Sequence, residues 1–252
     1  MTTFCLKIIA IIAMSIDHAA AMIGQMGLMT IFPSLSLNTS YHMIHIMRGI
    51  GRIAFPLFAF MIAEGARKTR SMPKYIGRLG LFALISEPFF YYSHSLKTPT
   101  FGGFIENLSG LNFGNVFFTL TLAAIAIYAY QLLERKKSKY LLLQFAPIFL
   151  TILFIGGYIG CDYGMAGILL IVTLYLTKSK RQKSFVILIW SVCLYVVGQV
   201  SLYNVVNCLC SAASCVLIWN YNGKRGRPLK WSFYIYYPAH LLAIACLSHV
   251  LK

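Results

Sequence analysis

An aspartate and a histidine lie side by side in an apolar segment near the start of the chain, IIAIIAMSIDHAAAMIG. Ionisable side chains are costly there, because a charge at the centre of a bilayer costs about 2.5–3.5 kcal/mol on insertion scales. His18 can take and return a proton near neutral pH, and a carboxylate such as Asp17 can orient an imidazole. Adjacent helical residues point about 100° apart. We therefore expect Asp17 to bind an arginine, or to orient a histidine of another helix, rather than to bond His18.

Further ionisable residues occur within apolar segments: Arg48, Arg52, Glu64, Glu87 and His240. Arg48 and Arg52 are one helical turn apart, and an arginine can hold phosphate or carbonyl oxygens in a fixed geometry. Because each residue is costly if it faces lipid, we predict one polar cavity lined by Asp17, His18, Arg52, Glu87 and His240. The alternative is purely structural: ion pairs, such as Arg52 with Asp17 or Glu87, would pin helices together. Glu64 could also simply reach the basic inner surface.

Prolines occur close to these ionisable residues in the sequence. Pro56, Pro88 and Pro238 each lie within four residues of one of these polar side chains. A proline removes the amide that would bond the carbonyl four residues earlier. A broken membrane helix is tolerated where its backbone is buried in protein or lines a wet cavity. The coincidence therefore supports a cavity at this level.

The chain as a whole has the composition of a helical membrane protein. Hydrophobic residues make up 59% of its 252 residues and charged residues 11%, whereas soluble domains carry about 25% charged residues. The formal net charge of +16 would suggest nucleic acid binding in a soluble protein. Here the basic residues occur in short loops between apolar segments, so they indicate membrane orientation and no nucleic acid partner.

A spanning helix needs about 20 mainly apolar residues. About nine such spans are expected: 4–25, 43–65, 76–94, 113–133, 140–158, 163–178, 184–200, 202–220 and 231–250. Strongly basic loops alternate with nearly uncharged ones along the whole chain, which predicts an inside N-terminus and an outside C-terminus. We interpret residues 1–252 as one all-α membrane domain whose first apolar segment is a retained helix rather than a signal peptide. The cysteines form no CxxC motif, no HExxH metal motif occurs, and no Walker loop or GxSxG motif is present.

Several longer stretches resemble the TraX family. They are LKIIAIIAMSIDH, GRIAFPLFAFMIAEGARKTR, KYIGRLGLFALISEPFF, GNVFFTLTL, DYGMAGILL and YNGKRGRPLKWSFYIYYPAHLLAI, and they occur in order over nearly the whole chain. The resemblance implies a role connected with N-terminal acetylation of a conjugative pilin. It also implies similarity to polytopic acyltransferases, which move acyl groups from cytoplasmic acyl-CoA to acceptors at the far face of a membrane.

At matching positions the resemblance implies roles for single residues. His18 matches the motif histidine, which is expected to be catalytic. The full catalytic set is expected to be Asp17, His18, Glu87 and His240. The set expected to bind substrate or coenzyme A is Arg52, Glu64, Arg67, Asn115, Tyr163 and Arg225. The stretch 33–42 and the loop 95–112 match no family motif, and they are expected to shape the choice of acceptor.

Two functions are weighed for these residues. In the first, an integral enzyme of the bacterial inner membrane transfers an acetyl group from acetyl-CoA to a protein or glycan at the outer face. The histidine would act as a base or take the acyl group transiently. In the second, a proton-coupled transporter uses the intramembrane Asp, Glu and His residues as a relay. Transporters often contain inverted repeats, and no repeat is evident here. A sensor or scaffold without chemistry is the third interpretation. No metal is expected.

Overall fold

The computed structural model describes residues 1–94, 100–109, 113–227 and 230–250. The secondary structure of this part of the chain is helical, and it contains no β-strand. Its helices are α1 Thr3–Ile31, α2 Leu37–Gly51, α3 Ala54–Lys68, α4 Met72–His94, α5 Phe101–Ser109, α6 Val116–Arg135, α7 Leu141–Tyr158, α8 Gly164–Leu176, α9 Lys180–Tyr195, α10 Leu202–Trp219 and α11 Lys230–Val250. The predicted all-α class is confirmed.

Two details add to the spans expected from the sequence: an interruption beside Pro56, which the proline predicted, and a helix within a predicted loop. The span predicted over 43–65 is broken, because α2 ends at Gly51 and α3 begins at Ala54. Pro56 follows the break and lies in the first turn of α3, where the amide that it lacks would have no helical partner. The loop predicted over 95–112 contains the short helix α5.

Five helical segments of the described ranges are long and apolar enough to cross a membrane. They are Thr3–Ile31, Leu37–Lys68, Val116–Arg135, Leu141–Tyr158 and Leu202–Trp219, and Gly164–Leu176 is a shorter apolar helix. Many large apolar side chains on these segments are exposed, as Leu142, Leu143 and Phe154 are on α7. Such exposure is expected where lipid is the solvent. The chain is therefore a helical membrane protein, and the count of nine spans and their orientation stay predictions.

The chain forms two compact units, each assembled from separate stretches of sequence. The first unit comprises Met1–Phe58, Tyr92–His94 and Ser179–Lys252, and the second comprises Ala59–Tyr91 and Ser95–Lys178. The expectation of one membrane domain over 1–252 stays a prediction.

In the first unit, α1 packs against α2 and α11, and α10 packs against α2 and α9. Polar contacts follow the contact between α1 and α11: Ser15 Oγ lies 2.8 Å from Tyr236 Oη, and Ser248 Oγ donates to the carbonyl of Met22. The backbone before α1 pairs with the loop before α11, since the amide of Thr3 donates to the carbonyl of Lys224 at 2.9 Å. These contacts fix the register between the first and last helices.

In the second unit, α6 packs against α7 and α8, and α7 packs against α8. Gly156 allows the close approach of α7 and α8, because a Cβ atom there would lie 2.4 Å from Ile168 Cδ1. The turn between these helices bonds to the start of α6: the amide of Asp162 donates to the carbonyl of Gly114 at 3.1 Å. The turn 159–163 is thereby held beside the N-terminus of α6.

Candidate functional site

Two histidines from opposite ends of the sequence form a hydrogen bond in the first unit. His18 on α1 and His240 on α11 approach with 2.7 Å between Nδ1 of His18 and Nε2 of His240. Nδ1 of His240 lies 3.0 Å from the backbone carbonyl oxygen of Tyr236, one turn earlier on the same helix. His240 is 7% exposed, so this pair lies within the protein.

The carbonyl of Tyr236 determines which ring nitrogens carry protons. A carbonyl oxygen can only accept, so Nδ1 of His240 must donate to it. In a neutral His240 the other nitrogen, Nε2, is then an acceptor, and Nδ1 of His18 must donate to it. In a neutral His18 this leaves the lone pair on Nε2. The chain of hydrogen bonds therefore gives His18 a single basic atom with a defined direction.

Aromatic rings hold this histidine pair in place. The rings of His240 and His18 are nearly parallel and lie side by side along their hydrogen bond, with centroids 5.0 Å apart, and His240 stacks on Tyr236, with centroids 5.1 Å apart. Tyr237 meets the ring of His18 edge-on at 6.2 Å, as does His94. The hydroxyl of Tyr236 is itself hydrogen-bonded to Ser15. Stacking and hydrogen bonding together restrict rotation of both imidazoles.

Asp17 binds two arginines of the segment that follows α1. Its Oδ2 lies 3.1 Å from Nη1 of Arg48, and its Oδ1 lies 3.6 Å from Nη2 of Arg52. The side chains of Asp17 and Arg52 are 14% and 16% exposed, whereas that of Arg48 is 35% exposed. Asp17 was expected to bind an arginine or a histidine of another helix, and its described contacts are with arginines.

A glycine makes this approach possible. A Cβ atom at Gly51 would lie 2.2 Å from Cβ of Asp17, a distance that real carbon atoms do not adopt. Gly49, half a turn earlier, faces α10 instead, since a Cβ there would lie 3.2 Å from Cγ1 of Val206. The two glycines let α2 approach α1 on one side and α10 on the other. The arginine that follows, Arg52, forms the C-cap of α2.

In the second unit, Glu87 binds the beginning of α6. Its carboxylate accepts hydrogen bonds from the amide of Gly114 at 3.1 Å and from Nδ2 of Asn115 at 2.6 Å. Asn115 is the N-cap of α6, and its Oδ1 accepts the amide of Phe117 at 3.0 Å. A carboxylate at a helix N-terminus satisfies unpaired amides and interacts favourably with the helix dipole. The described contacts of Glu87 and Asn115 are therefore those of a helix cap.

Arg67, which is paired with Glu64, binds the C-terminal end of α8. Nη1 of Arg67 donates to Oε1 of Glu64 at 2.6 Å. Nη2 of Arg67 donates to the last carbonyls of α8, those of Leu174 at 2.9 Å and Thr177 at 2.8 Å. A cation at a helix C-terminus satisfies carbonyls that lack helical partners. The guanidinium of Arg67 is thus occupied by groups of its own unit.

The other expected binding residues lie in turns and loops. Tyr163 precedes α8 with a left-handed backbone, φ 60°, and its carbonyl accepts the amide of Gly167. Beside it, burial raises the pKa of the Cys161 thiol, which therefore stays protonated at neutral pH. Arg225 is exposed in the loop before α11, where its carbonyl accepts the amide of Phe4. The described residues contain no group of three or more His, Cys, Asp or Glu side chains that could hold a metal.

Sequence comparison assigns the chain to a known family. The profile described as TraX protein matches residues 3–248. The chain belongs to the TraX family. A relative, the probable fimbrial assembly protein FimC, serogroup H1, of Dichelobacter nodosus, is 27% identical over 261 residues, which cover 97% of this chain and 94% of that protein. No solved structure matches the chain significantly.

The structure of this TraX family member brings together part of the predicted cavity. His18 and His240 are in contact, and Asp17 contacts Arg52, all within the first unit. Glu87 belongs to the second unit, so the shared cavity stays a prediction, as do the catalytic and binding roles of all the residues named.

Sequence reasoning missed several residues around the histidine pair. Tyr236, Tyr237 and Ser15 have no ionisable group that is costly in a membrane, so a search for costly residues overlooks them. One signal could have found two of them, because Tyr236 lies four residues before His240 and Ser15 lies three before His18, about one helical turn away in each case. His94, the last residue of the span expected over 76–94, also meets the ring of His18 edge-on.

Proposed function

We propose that this TraX family member is an acyltransferase of the bacterial inner membrane that transfers an acetyl group from cytoplasmic acetyl-CoA to an acceptor at the outer face. The observation that carries the proposal is the directed chain from the Tyr236 carbonyl through His240 to His18. It leaves one lone pair on His18, at Nε2, for proton transfer. A base needs such a fixed lone pair, whereas a purely structural histidine does not.

The proposed reaction needs one proton to move. The acceptor nitrogen or oxygen attacks the thioester carbonyl carbon of acetyl-CoA, and Nε2 of His18 takes the proton of the acceptor. The bond between carbon and sulfur then breaks, and the coenzyme A thiolate receives a proton from the imidazolium. His240 stabilises the imidazolium, because its Nε2 accepts from Nδ1 of His18 throughout. Transient acylation of His18 is the alternative route to the same products.

The acceptor is proposed to be a protein amino terminus or a glycan. The fimbrial assembly relative favours a protein acceptor, as does the role in pilin acetylation that the resemblance to the TraX family implies. The donor would enter from the inside, where the basic loops are expected. Lys224, Arg225 and Arg227 lie in an exposed loop of the first unit and suit the phosphates of coenzyme A. Arg67 suits them less, because its guanidinium already binds Glu64 and the end of α8.

Acetyl transfer by the purified protein tests the proposal. The protein in neutral detergent is incubated with acetyl-CoA carrying a labelled acetyl group, together with a peptide that has a free amino terminus or an oligosaccharide. We expect labelled acceptor and an equal amount of released coenzyme A thiol. His45→Ala is the matched control, because His45 lies in the same unit but stacks on Tyr203. Failure of all acceptors, together with no rise in melting temperature on addition of acetyl-CoA, would contradict the proposal.

A proton relay is the second candidate function. The specific observation in its favour is the same pair of histidines, since linked imidazoles can pass a proton along their hydrogen bond. Vesicles containing the protein and a pH-sensitive dye would separate the two functions. A relay predicts proton flux without acetyl-CoA, and the enzyme predicts none.

A further inference from the structure

Two guanidinium groups share one carboxylate next to the histidine pair. Arg48 and Arg52 both contact Asp17, through different carboxylate oxygens. Two positive charges thus meet one negative charge in these contacts, which leaves one positive charge in excess.

The amino-acid composition of the first unit leaves this excess without another acidic side chain. Asp17 is the only aspartate or glutamate within Met1–Phe58, Tyr92–His94 and Ser179–Lys252. The remaining acidic residues of the chain all belong to the second unit: Glu64, Glu87, Glu106, Glu134 and Asp162. No second carboxylate side chain of the first unit can therefore balance the arginine pair.

The two arginines of this cluster differ in exposure. Arg52, like Asp17, is mostly buried. Arg48 differs, because its side chain is 35% exposed and its described ion pair uses only one terminal nitrogen. A guanidinium has further donors in a planar fork that matches the oxygens of phosphate and carboxylate. Arg48 can therefore hold Asp17 and still present donors to a ligand.

We propose that Arg48 and Arg52 bind an anionic group of the acceptor, a phosphate or a carboxylate, beside Asp17, the residue that precedes His18. The proposal rests on the proposed function for the ligand being the acceptor. Asp17 serves in this site as a competitor that holds the two arginines together and keeps them weakly occupied when no ligand is present. Binding here would hold a part of the acceptor that does not react, and so would orient the reacting atom towards His18.

Inorganic phosphate is the first probe, because it needs no acyl transfer. The melting temperature of the full-length protein in neutral detergent is measured against phosphate concentration, with sodium chloride holding the ionic strength constant. We expect a saturable rise in melting temperature. Arg48→Gln should weaken phosphate binding about tenfold, as expected for the loss of one charge-assisted hydrogen bond. Lys74→Gln, which removes an exposed charge of the second unit, is the matched control and should leave binding unchanged.

Asp17→Asn provides a test of opposite sign. Removing the competing carboxylate should strengthen phosphate binding, whereas a purely structural ion-pair cluster predicts a lower melting temperature with no phosphate dependence. If Asp17→Asn does not fold, the Arg48 comparison decides alone. Equal phosphate responses of the parent and Arg48→Gln, or no response of either, would overturn the inference.

Nanodiscs of phosphatidylcholine with and without phosphatidylglycerol identify the source of the anion. Stabilisation by phosphatidylglycerol that Arg48→Gln loses would support the site and assign its anion to a lipid headgroup. The acetyl-transfer assay separates this inference from the proposed function. If the protein binds phosphate but transfers no acetyl group, the anion site is supported and the proposed enzyme function is contradicted. If the protein is active but does not bind phosphate, only the anion site is contradicted.

Discussion

In the second unit, Glu87 and Arg67 are bonded to helix ends, whereas in the first unit His18 and Asp17 are bonded to other side chains. Glu87 accepts amides at the start of α6, and Arg67 donates to carbonyls at the end of α8. In the first unit, His18 bonds His240 and Asp17 binds Arg48. Helix ends have a fixed need for partners, so the groups that satisfy them are fully used. Side chains bonded to one another retain donors, acceptors and a titratable proton.

An ionisable residue whose placement in a membrane is unfavourable is therefore not by itself evidence of a catalytic residue. Glu87 and Arg67 offset the cost of their burial by capping helices, which stabilises the fold. The histidine pair caps no helix. Substitutions in the two units should therefore affect different measurements: activity in the first and stability in the second.

The largest effect on activity is expected at His18. His18→Ala removes the proposed base, and we expect acetyl transfer to fall by about 100-fold or more while expression and binding of acetyl-CoA are kept. Initial rates with labelled acetyl-CoA, together with melting temperatures in the presence of coenzyme A, check this. A folded His18→Ala protein that transfers acetyl groups at the parent rate would remove the catalytic role and make His240 the remaining base.

Glu87 should show the opposite behaviour. Glu87→Ala leaves the amides at the start of α6 and Nδ2 of Asn115 without their acceptor, so the free energy of unfolding should fall by about 3 kcal/mol. Glu106→Ala, which removes an exposed glutamate of the same unit, is the control and should change stability little. A stable Glu87→Ala protein with no activity would break the comparison, because Glu87 would then be a chemical group.

Gly51 tests whether the ion-pair cluster of the first unit depends on close helix packing. Gly51→Ala places a methyl group against Asp17, and we expect a loss of about 2 kcal/mol of stability from overpacking. Gly77→Ala is the control, because no atom lies within 4 Å of the added carbon. That helical glycine should gain slightly in stability when replaced. Equal effects on the melting temperature at both positions would contradict the close approach of Gly51 to Asp17.

His240 should show a smaller effect on activity, which sharpens the assignment of the proton positions. His240→Ala removes the acceptor for Nδ1 of His18, and a loss of about tenfold in rate is expected from one neutral hydrogen bond. Glutamine offers an amide oxygen as an acceptor, so His240→Gln should retain more activity than His240→Ala. Rate measurements over a range of pH compare the two variants. Identical losses in both would show that the acceptor at this position does not matter.

Much of this architecture follows from composition and local pattern. Apolar segments long enough to span a bilayer fix the all-helical class, because backbone groups in lipid must be satisfied within the segment. The cost of charge in lipid singled out Asp17, His18, Arg52 and His240. The distortion at Pro56 was also predictable, since a proline cannot donate to the preceding turn.

Only the tertiary structure decided which of these residues meet. The contact between His18 and His240 joins residues that are 222 positions apart, and no local rule specifies the packing of α1 against α11. The same applies to Glu87, which is an ionisable residue in an apolar segment, as His18 and His240 are. What separates them is the partner that each one finds, a helix end or another side chain. That partner depends on how helices pack, which small residues such as Gly51 allow, and which single-helix periodicity does not encode.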